Sequence, residues 1–304
     1  MRTFFKDIRK HWILWLMAAP AILTLFIFSY IPMFGLVMAF QRLDLAKGVF
    51  TSPFVGLKNF EFLFTTTDAW IITRNTILYN FAFIILTLVC SVTFAIIMNE
   101  ITCRKYAKVL QTVFIMPYFL SMVVVSTIVY AFLSPSSGYI NPVLQEFGLD
   151  PINWYHEKTV WPFLLVFIYL WKNVGYSSVL YMASIAGISN EYYEAATLDG
   201  ASKLQQAIYI TIPHLKTIIA IKLIMSIGGI FRSDFGLFYT VPRDSGSLYS
   251  VTNVLDTYIY RGLLNMGNVG MSAAAGFYQS VVGFVLVLIA NKIVTKIDPE
   301  SAMF

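Results

Sequence analysis

The sequence predicts an all-α polytopic membrane protein with six transmembrane helices, and three observations carry that prediction. Of its 304 residues 58% are hydrophobic and 12% charged, with a mean hydropathy of +0.71, whereas a soluble domain carries roughly 45–50% and ~25%. Six apolar stretches, about 12–40, 77–98, 109–133, 161–185, 215–231 and 271–294, each approach the ~20 residues that cross a ~30 Å hydrocarbon core. What remains is too short for a large extramembrane domain, so residues 1–304 read as a single transmembrane domain.

The first stretch follows a basic segment, Arg2, Lys6, Arg9 and Lys10, which superficially copies a secretory signal. Its apolar run from Trp12 to Phe40 is roughly double the 7–15 residues of a signal's core, so it reads as a retained span. Lys and Arg set the orientation, because positive residues stay on the cytoplasmic face. With the N-terminus inside, Arg104, Lys105, Lys108, Lys203, Lys216, Lys292 and Lys296 are cytoplasmic together with the N-terminal cluster. The longer outer segments hold only Arg42, Lys47, Lys58, Lys158, Arg232, Arg243 and Arg261. Both termini are thus expected in the cytoplasm. The net charge of +5 reflects this topology rather than nucleic acid, which would need a clustered basic face. Cys90 and Cys103 lie about 20 Å apart if the run between them is helical, too far for a disulfide.

Pro20, Pro32 and Pro117 fall within spans and predict kinks, either as ordinary transmembrane irregularity or as hinges. In the outer segment 134–160, Asn141-Pro142 reads as an N-cap with proline at the first helical position, and Gly148 as a stop, giving a short helix from Pro142 to Phe147. Between spans four and five, residues 187–214 are longer than a hairpin needs. Ser189 can cap a first helix that Gly200 ends in a left-handed turn. Ser202 and Gln205 have capping-box spacing for a second, and Pro213 marks the approach to span five. Small residues Ala195, Ala196 and Ala201 flank the glycine elbow, and Tyr192, Tyr193, Leu198 and Leu204 offer apolar anchors. Such a helix suits either a partner's groove or the bilayer interface; its scarcity of basic residues weighs against the interface.

Glu194-Ala195-Ala196, three residues, Gly200, nine residues, Ile210, one residue, Ile212-Pro213 resembles the EAA signature of permease subunits in binding-protein-dependent ABC importers, with Ile212 where leucine is usual. The pieces Phe28-Ser29-Tyr30-Ile31-Pro32, Gly56-Leu57-Lys58-Asn59-Phe60, Arg74-Asn75-Thr76, Gln111 with Met116-Pro117, Asp234 to Tyr239 and Asp256-Thr257-Tyr258 resemble, in order, the oligosaccharide and polysaccharide branch of that family. The resemblance implies a MetI-like helical core with one additional N-terminal span. It makes the loop a cytoplasmic coupling helix, with Glu194, Ala195, Ala196, Asp199, Gly200, Ala201 and Pro213 engaging a separate ATPase. It also implies a second related permease, two ATPase subunits holding ATP and Mg, an external or periplasmic sugar-binding protein, and residence in a bacterial inner or plasma membrane. No cofactor is expected in this chain.

A sugar pathway wants amides, carboxylates and aromatic rings together. Polar residues inside spans are costly in hydrocarbon and therefore informative. Trp171, Asn173 and Tyr176 in span four, and Tyr278 and Gln279 in span six, are the candidates for lining the pathway; hydrogen bonds that tie helices together would explain each equally well. Lys222 is expected to snorkel to the cytoplasmic end. An ATP-binding G-x-x-x-x-G-K-[ST] motif is absent from the sequence. An ion-coupled secondary transporter, the alternative, would need carboxylates at span centres, where Asp and Glu are essentially missing. An intramembrane hydrolase lacks its ligands, since His156-Glu157 has no second histidine at zinc-site spacing.

Overall fold

The structure, a computed structural model, describes residues 10–44, 47–49 and 51–297; Arg2, Lys6 and Arg9 of the basic N-terminal cluster lie outside it. Its main helices are α1 (Trp12–Leu25), which continues through a π-helical turn (Phe26–Tyr30) into a 3-10 segment (Ile31–Phe40); α2 (Thr67–Glu100); and α3 (Arg104–Ile115), which tightens into a 3-10 turn (Met116–Phe119). They are followed by α4 (Met122–Leu133), α5 (Ile140–Glu146), α6 (Trp161–Ile185) and α7 (Asn190–Leu198). Then come α8 (Lys203–Gln206), which passes through a π-helical turn (Ala207–Thr211) into α9 (Ile212–Gly228), and finally α10 (Leu255–Leu264) and α11 (Val269–Ile297). Among the described residues five stretches are long and apolar enough to cross a membrane, or six if α3 and α4 form one broken span. Among the described residues extended pairing is limited to one bridge, Gln41 with Phe54.

The chain divides into two compact units, residues 1–65 with 259–278, and residues 66–258 with 279–304. In the first, the 3-10 end of the first span is closed by Asn59, whose amide donates to the carbonyls of Ala39 at 3.0 Å and Gln41 at 2.8 Å. Helix ends leave such carbonyls without partners, and this is the physical task of the Gly56-to-Phe60 stretch. Phe40 packs against Phe54, Phe60 and Phe277 with ring centroids 5.3–6.3 Å apart.

The second unit has its main core in Tyr79, Phe83, Val125, Trp161, Leu165, Leu237 and Phe238, with a smaller cluster of Val92, Ala95, Tyr181, Ile185 and Leu215. Several family-like motifs prove to be internal clamps here. Asn75 donates to the carbonyls of Ser250 and Asn253 at 3.2 and 3.0 Å, Arg74 reaches Ser250 at 3.1 Å, and the Thr76 hydroxyl accepts from Leu255 N at 3.0 Å. Together they pin the segment 250–255 to α2. Asp234 accepts from Leu237 N at 3.1 Å, starting the turn that buries Leu237 and Phe238.

Helix boundaries differ from the apolar runs in instructive ways. α2 begins at Thr67, ten residues before the expected start, because the Thr66 hydroxyl accepts from Ala69 N and caps it. Span three begins at Arg104 and is broken, with α3 and α4 set 97° apart at Leu120-Ser121. Span five begins at Lys203 and stops at Gly228, so the second half of the expected loop is continuous with the span. The short helix expected in residues 134–160 is Ile140–Glu146, and its expected cap is corrected. Asn141 lies inside the helix, buried, with its carbonyl oxygen accepting from Ile152 N at 3.1 Å and the Trp154 indole at 3.0 Å. Gly148 does terminate it, at φ +74°.

Candidate functional site: a loop lever and an aromatic cavity

The loop of residues 187–214 is built from local capping. The Ser189 hydroxyl accepts from Glu191 N at 3.3 Å and starts α7. Gly200, at φ +82°, ends it: Gly200 N donates to Thr197 O at 3.1 Å and Ala201 N to Ala196 O at 2.8 Å, the paired bonds of a Schellman stop. Two residues later the capping box is complete, with Ser202 N donating to the Gln205 carboxamide at 2.7 Å and Gln205 N to the Ser202 hydroxyl at 3.3 Å.

α7 is then tied to the span that follows. The buried Gln206 amide donates to the Thr197 hydroxyl at 2.9 Å, and the Tyr193 hydroxyl meets that of Thr211 at 3.0 Å. Lys203 pairs with Glu100 at 3.0 Å, putting the loop at the same end of the helices as the α2–α3 connection. Tyr193 therefore faces inward and is no outer anchor. Leu198, 90% exposed, and Leu204, 70% exposed, stand clear of the unit, as do Glu194, Ala195, Asp199 and Gly200, with Tyr192 beside His214 at the rim. Ala196 and Ala201 are half-buried, and Pro213 is exposed in the first turn of α9. α7 places no residue in the core, so its exposed apolar side chains are not required for folding the unit.

The second feature is a cavity of about 350 Å³ between α2, α6 and α9, within the ~300–1,000 Å³ of small-molecule clefts. Stripes at helical spacing line it: Asn80, Thr87 and Ser91 from α2; Tyr169, Asn173, Tyr176 and Ser177 from α6; and Lys222, Ser226 and Gly229 from α9 and its end. Tyr118 and Tyr176 stack at 3.9 Å with planes 6° apart, and Phe83 and Tyr169 at 3.8 Å with planes 8° apart. The Asn173 amide donates to its own helix at Tyr169 O, 2.9 Å away. The Thr87 hydroxyl is buried without a partner among the described residues.

The broken span forms part of this site. Where the helix stops at Phe119, Leu120 N still donates to Pro117 O at 3.2 Å, and the carbonyls beyond it turn to a side chain. The Lys172 ammonium donates to Tyr118 O at 2.7 Å, Pro117 O at 3.4 Å and also Leu120 O. A cation at the negative end of a helix is favourable, and one lysine thereby satisfies three carbonyls and sits over the Tyr118 ring. Close approach of α6 to α3 requires Gly175, where a Cβ would stand 2.9 Å from Ile115 N and closer still to the Phe114 carbonyl.

Of the five residues expected along the pathway, Asn173 and Tyr176 line the cavity. Gln279 is buried and donates to Phe231 O and to the Asp256 carboxylate at 3.2 Å. Trp171 is exposed on α6, and Tyr278 is half-buried in the first unit. Lys222 is corrected: with the span starting at Lys203 it stands far along the helix on the cavity wall, beyond reach of the loop end. Its spacing to Ser226 and Gly229 was the available signal.

A multi-span helical unit with an exposed, capped helical loop at one end and a polar, ring-lined cavity among its helices has the anatomy of a membrane transport subunit. Residues 91–299 match the family described as binding-protein-dependent transport system inner membrane component. The chain is 31% identical over 300 residues to the polygalacturonan/rhamnogalacturonan transport system permease protein YteP of Bacillus subtilis, covering 99% of this chain and 92% of that one. A crystal structure of a bacterial ABC transporter involved in import of the acidic polysaccharide alginate superposes with a TM-score of 0.88 at 31% identity, covering 97% of this chain and 99% of that one. A second, of a bacterial alginate ABC transporter in complex with a pentasaccharide-bound periplasmic protein, gives 0.86 at 31% identity over 96% and 97%. The chain belongs to the permease family of binding-protein-dependent transport systems: it is a multi-pass membrane permease with a MetI-like core, and not itself an enzyme.

Proposed function

We propose that this permease forms one wall of the translocation pathway for an oligosaccharide, delivered by an external binding protein and driven by ATP that separate ATPase subunits hydrolyse with Mg. A second, related permease supplies the other wall. The loop around Glu194 to Gly200 sits in a cleft of the ATPase on the cytoplasmic side, where both chain termini also lie. Membership of the permease family favours this over an ion-coupled transporter.

One observation carries the mechanism. α7 is hydrogen-bonded through Thr197 and Tyr193 to Gln206 and Thr211, and those two residues belong to the same continuous helix that presents Lys222, Ser226 and Gly229 to the cavity. At ~1.5 Å per residue the 16 positions from Gln206 to Lys222 span about 24 Å. A displacement of α7 by closing ATPases is therefore delivered to the cavity wall through one rigid rod, and alternating access follows if the wall has two positions. Asn173 with the stacked Tyr118–Tyr176 pair offers an amide and a flat face to a sugar. The chain itself makes and breaks no covalent bond.

Mild detergent extraction of the tagged chain from its host, followed by identification of what remains attached, tests this. The expected result is a second permease and an ATPase whose hydrolysis rises when a loaded sugar-binding protein is added. Recovery of the chain alone, or with no ATPase, from membranes in which it is active would refute it.

A further inference from the structure

The amides, hydroxyls and rings of the cavity would serve any sugar; the cations would not. Lys222 lies on its α9 wall and Arg232 follows just beyond that helix. Among the described residues neither side chain has a hydrogen-bond or ion-pair partner. Lys172 differs, being engaged by three carbonyls and feeling the charge of Asp234. Two carboxylates need accounting. Asp234 is occupied in capping Leu237 N. Asp256 feels the charge of Arg232 but is held by Ser233 N at 2.7 Å and by the Gln279 amide, without forming an ion pair. Lys222 thus faces the cavity with no carboxylate of its own, and Arg232 with one that is already hydrogen-bonded elsewhere.

An intramembrane cation is expensive unless it is paired or hydrated. A neutral sugar brings no countercharge, whereas a uronic acid residue presents a carboxylate on the edge of a ring whose face can stack. Building on the transport reading above, we propose that the cavity takes an anionic oligosaccharide of uronic acid residues, with Lys222 and Arg232 meeting its carboxylates and the Tyr118–Tyr176 pair receiving a ring face. Arg232 can engage a carboxylate with two parallel N–H donors, while Lys222 acts as a point charge.

The test uses the permease complex purified with its ATPase in nanodiscs, without binding protein, so that the cavity's own preference is read. Saturation-transfer NMR would compare a short oligogalacturonide with its fully methyl-esterified counterpart, the same chain without charge. A charged hydrogen bond is worth about 1.5–3 kcal/mol, so the acid should bind on the order of ten- to a hundredfold tighter than the ester. Lys222→Gln and Arg232→Gln should each erase most of that preference, and Lys222→Arg should retain it. Equal binding of the two probes, binding of neither, or a preference that survives in the double Gln variant would overturn the assignment. Absence of an ATPase from the purified complex is scored before any probe is added, and it would count against the transport reading instead.

Discussion

Gly200→Val isolates the lever from the fold. Gly200 adopts φ +82°, and a Cβ built there meets nothing within 4 Å among the described residues, so within this chain the substitution creates no clash and acts through the backbone. An L-residue in the left-handed region costs ~1–2 kcal/mol, and a β-branched one lies at or above the top of that range. That shifts the local equilibrium away from the elbow by about five- to thirtyfold. Because α7 contributes no buried residue, membrane insertion and folding of the chain should be unchanged. Sugar taken up per ATP hydrolysed, measured in proteoliposomes with the partner subunits, should fall by a comparable factor. Gly200→Asn, which tolerates the left-handed region, should lose much less. Wild-type coupling in the Val variant, or equal losses in Val and Asn, would refute the reasoning.

Three further outcomes are expected. Gln206→Leu removes the amide that holds Thr197 and Ala201, at about 0.5–1.5 kcal/mol per hydrogen bond, and should hasten proteolytic cleavage around residues 199–202 without altering cleavage elsewhere. Lys172→Met removes the ammonium that Tyr118 O and Leu120 O accept from at the break of span three, and should lower thermal stability in detergent by about 1–3 kcal/mol; an unchanged midpoint would contradict the capping role. Burial raises the Asp256 carboxyl above the usual carboxylate range, with the hydrogen bonds from Ser233 and Gln279 and the Arg232 charge pulling the other way. A raised pKa favours folding below the ordinary aspartate range and loses that contribution as pH climbs through the raised value. The Tm of the wild type relative to Asp256→Asn should therefore increase as pH falls from neutral, and a flat difference would refute this.

The spans were legible because hydrocarbon thickness dictates about 20 apolar residues per crossing, and the elbow because Ser189, Gly200, Ser202 and Gln205 each have one local job that their chemistry fixes. Helix ends were harder. Thr67 to Thr76 carries Asp68, Arg74 and Asn75 and looks like loop by hydropathy, yet it is helical, with Asn75 and Thr76 buried against the 250–255 segment, a long-range contact invisible along the chain. Pro117 announced a disturbance in span three, but the 97° turn falls at Leu120-Ser121, where Ser121 caps the next helix. The role of Lys172 depends on three carbonyls more than fifty residues away. Lys222 looks terminal by hydropathy because the apolar run begins at Leu215, whereas the helix begins at Lys203 and carries Lys222 far along its length. Gln279 and Tyr278, adjacent on one helix, were drawn together by sequence, but Gln279 spends its amide on Phe231 O and Asp256.

The lever is tested most directly by Ala195→Cys in a Cys103→Ser background, since Cys103 is exposed and would compete for reagent. A short bifunctional thiol crosslinker in native membranes should join position 195 to the ATPase subunit, with a yield that changes on adding ATP. Labelling of position 195 by an impermeant reagent from outside the cell, or crosslinks to lipid alone, would contradict the account.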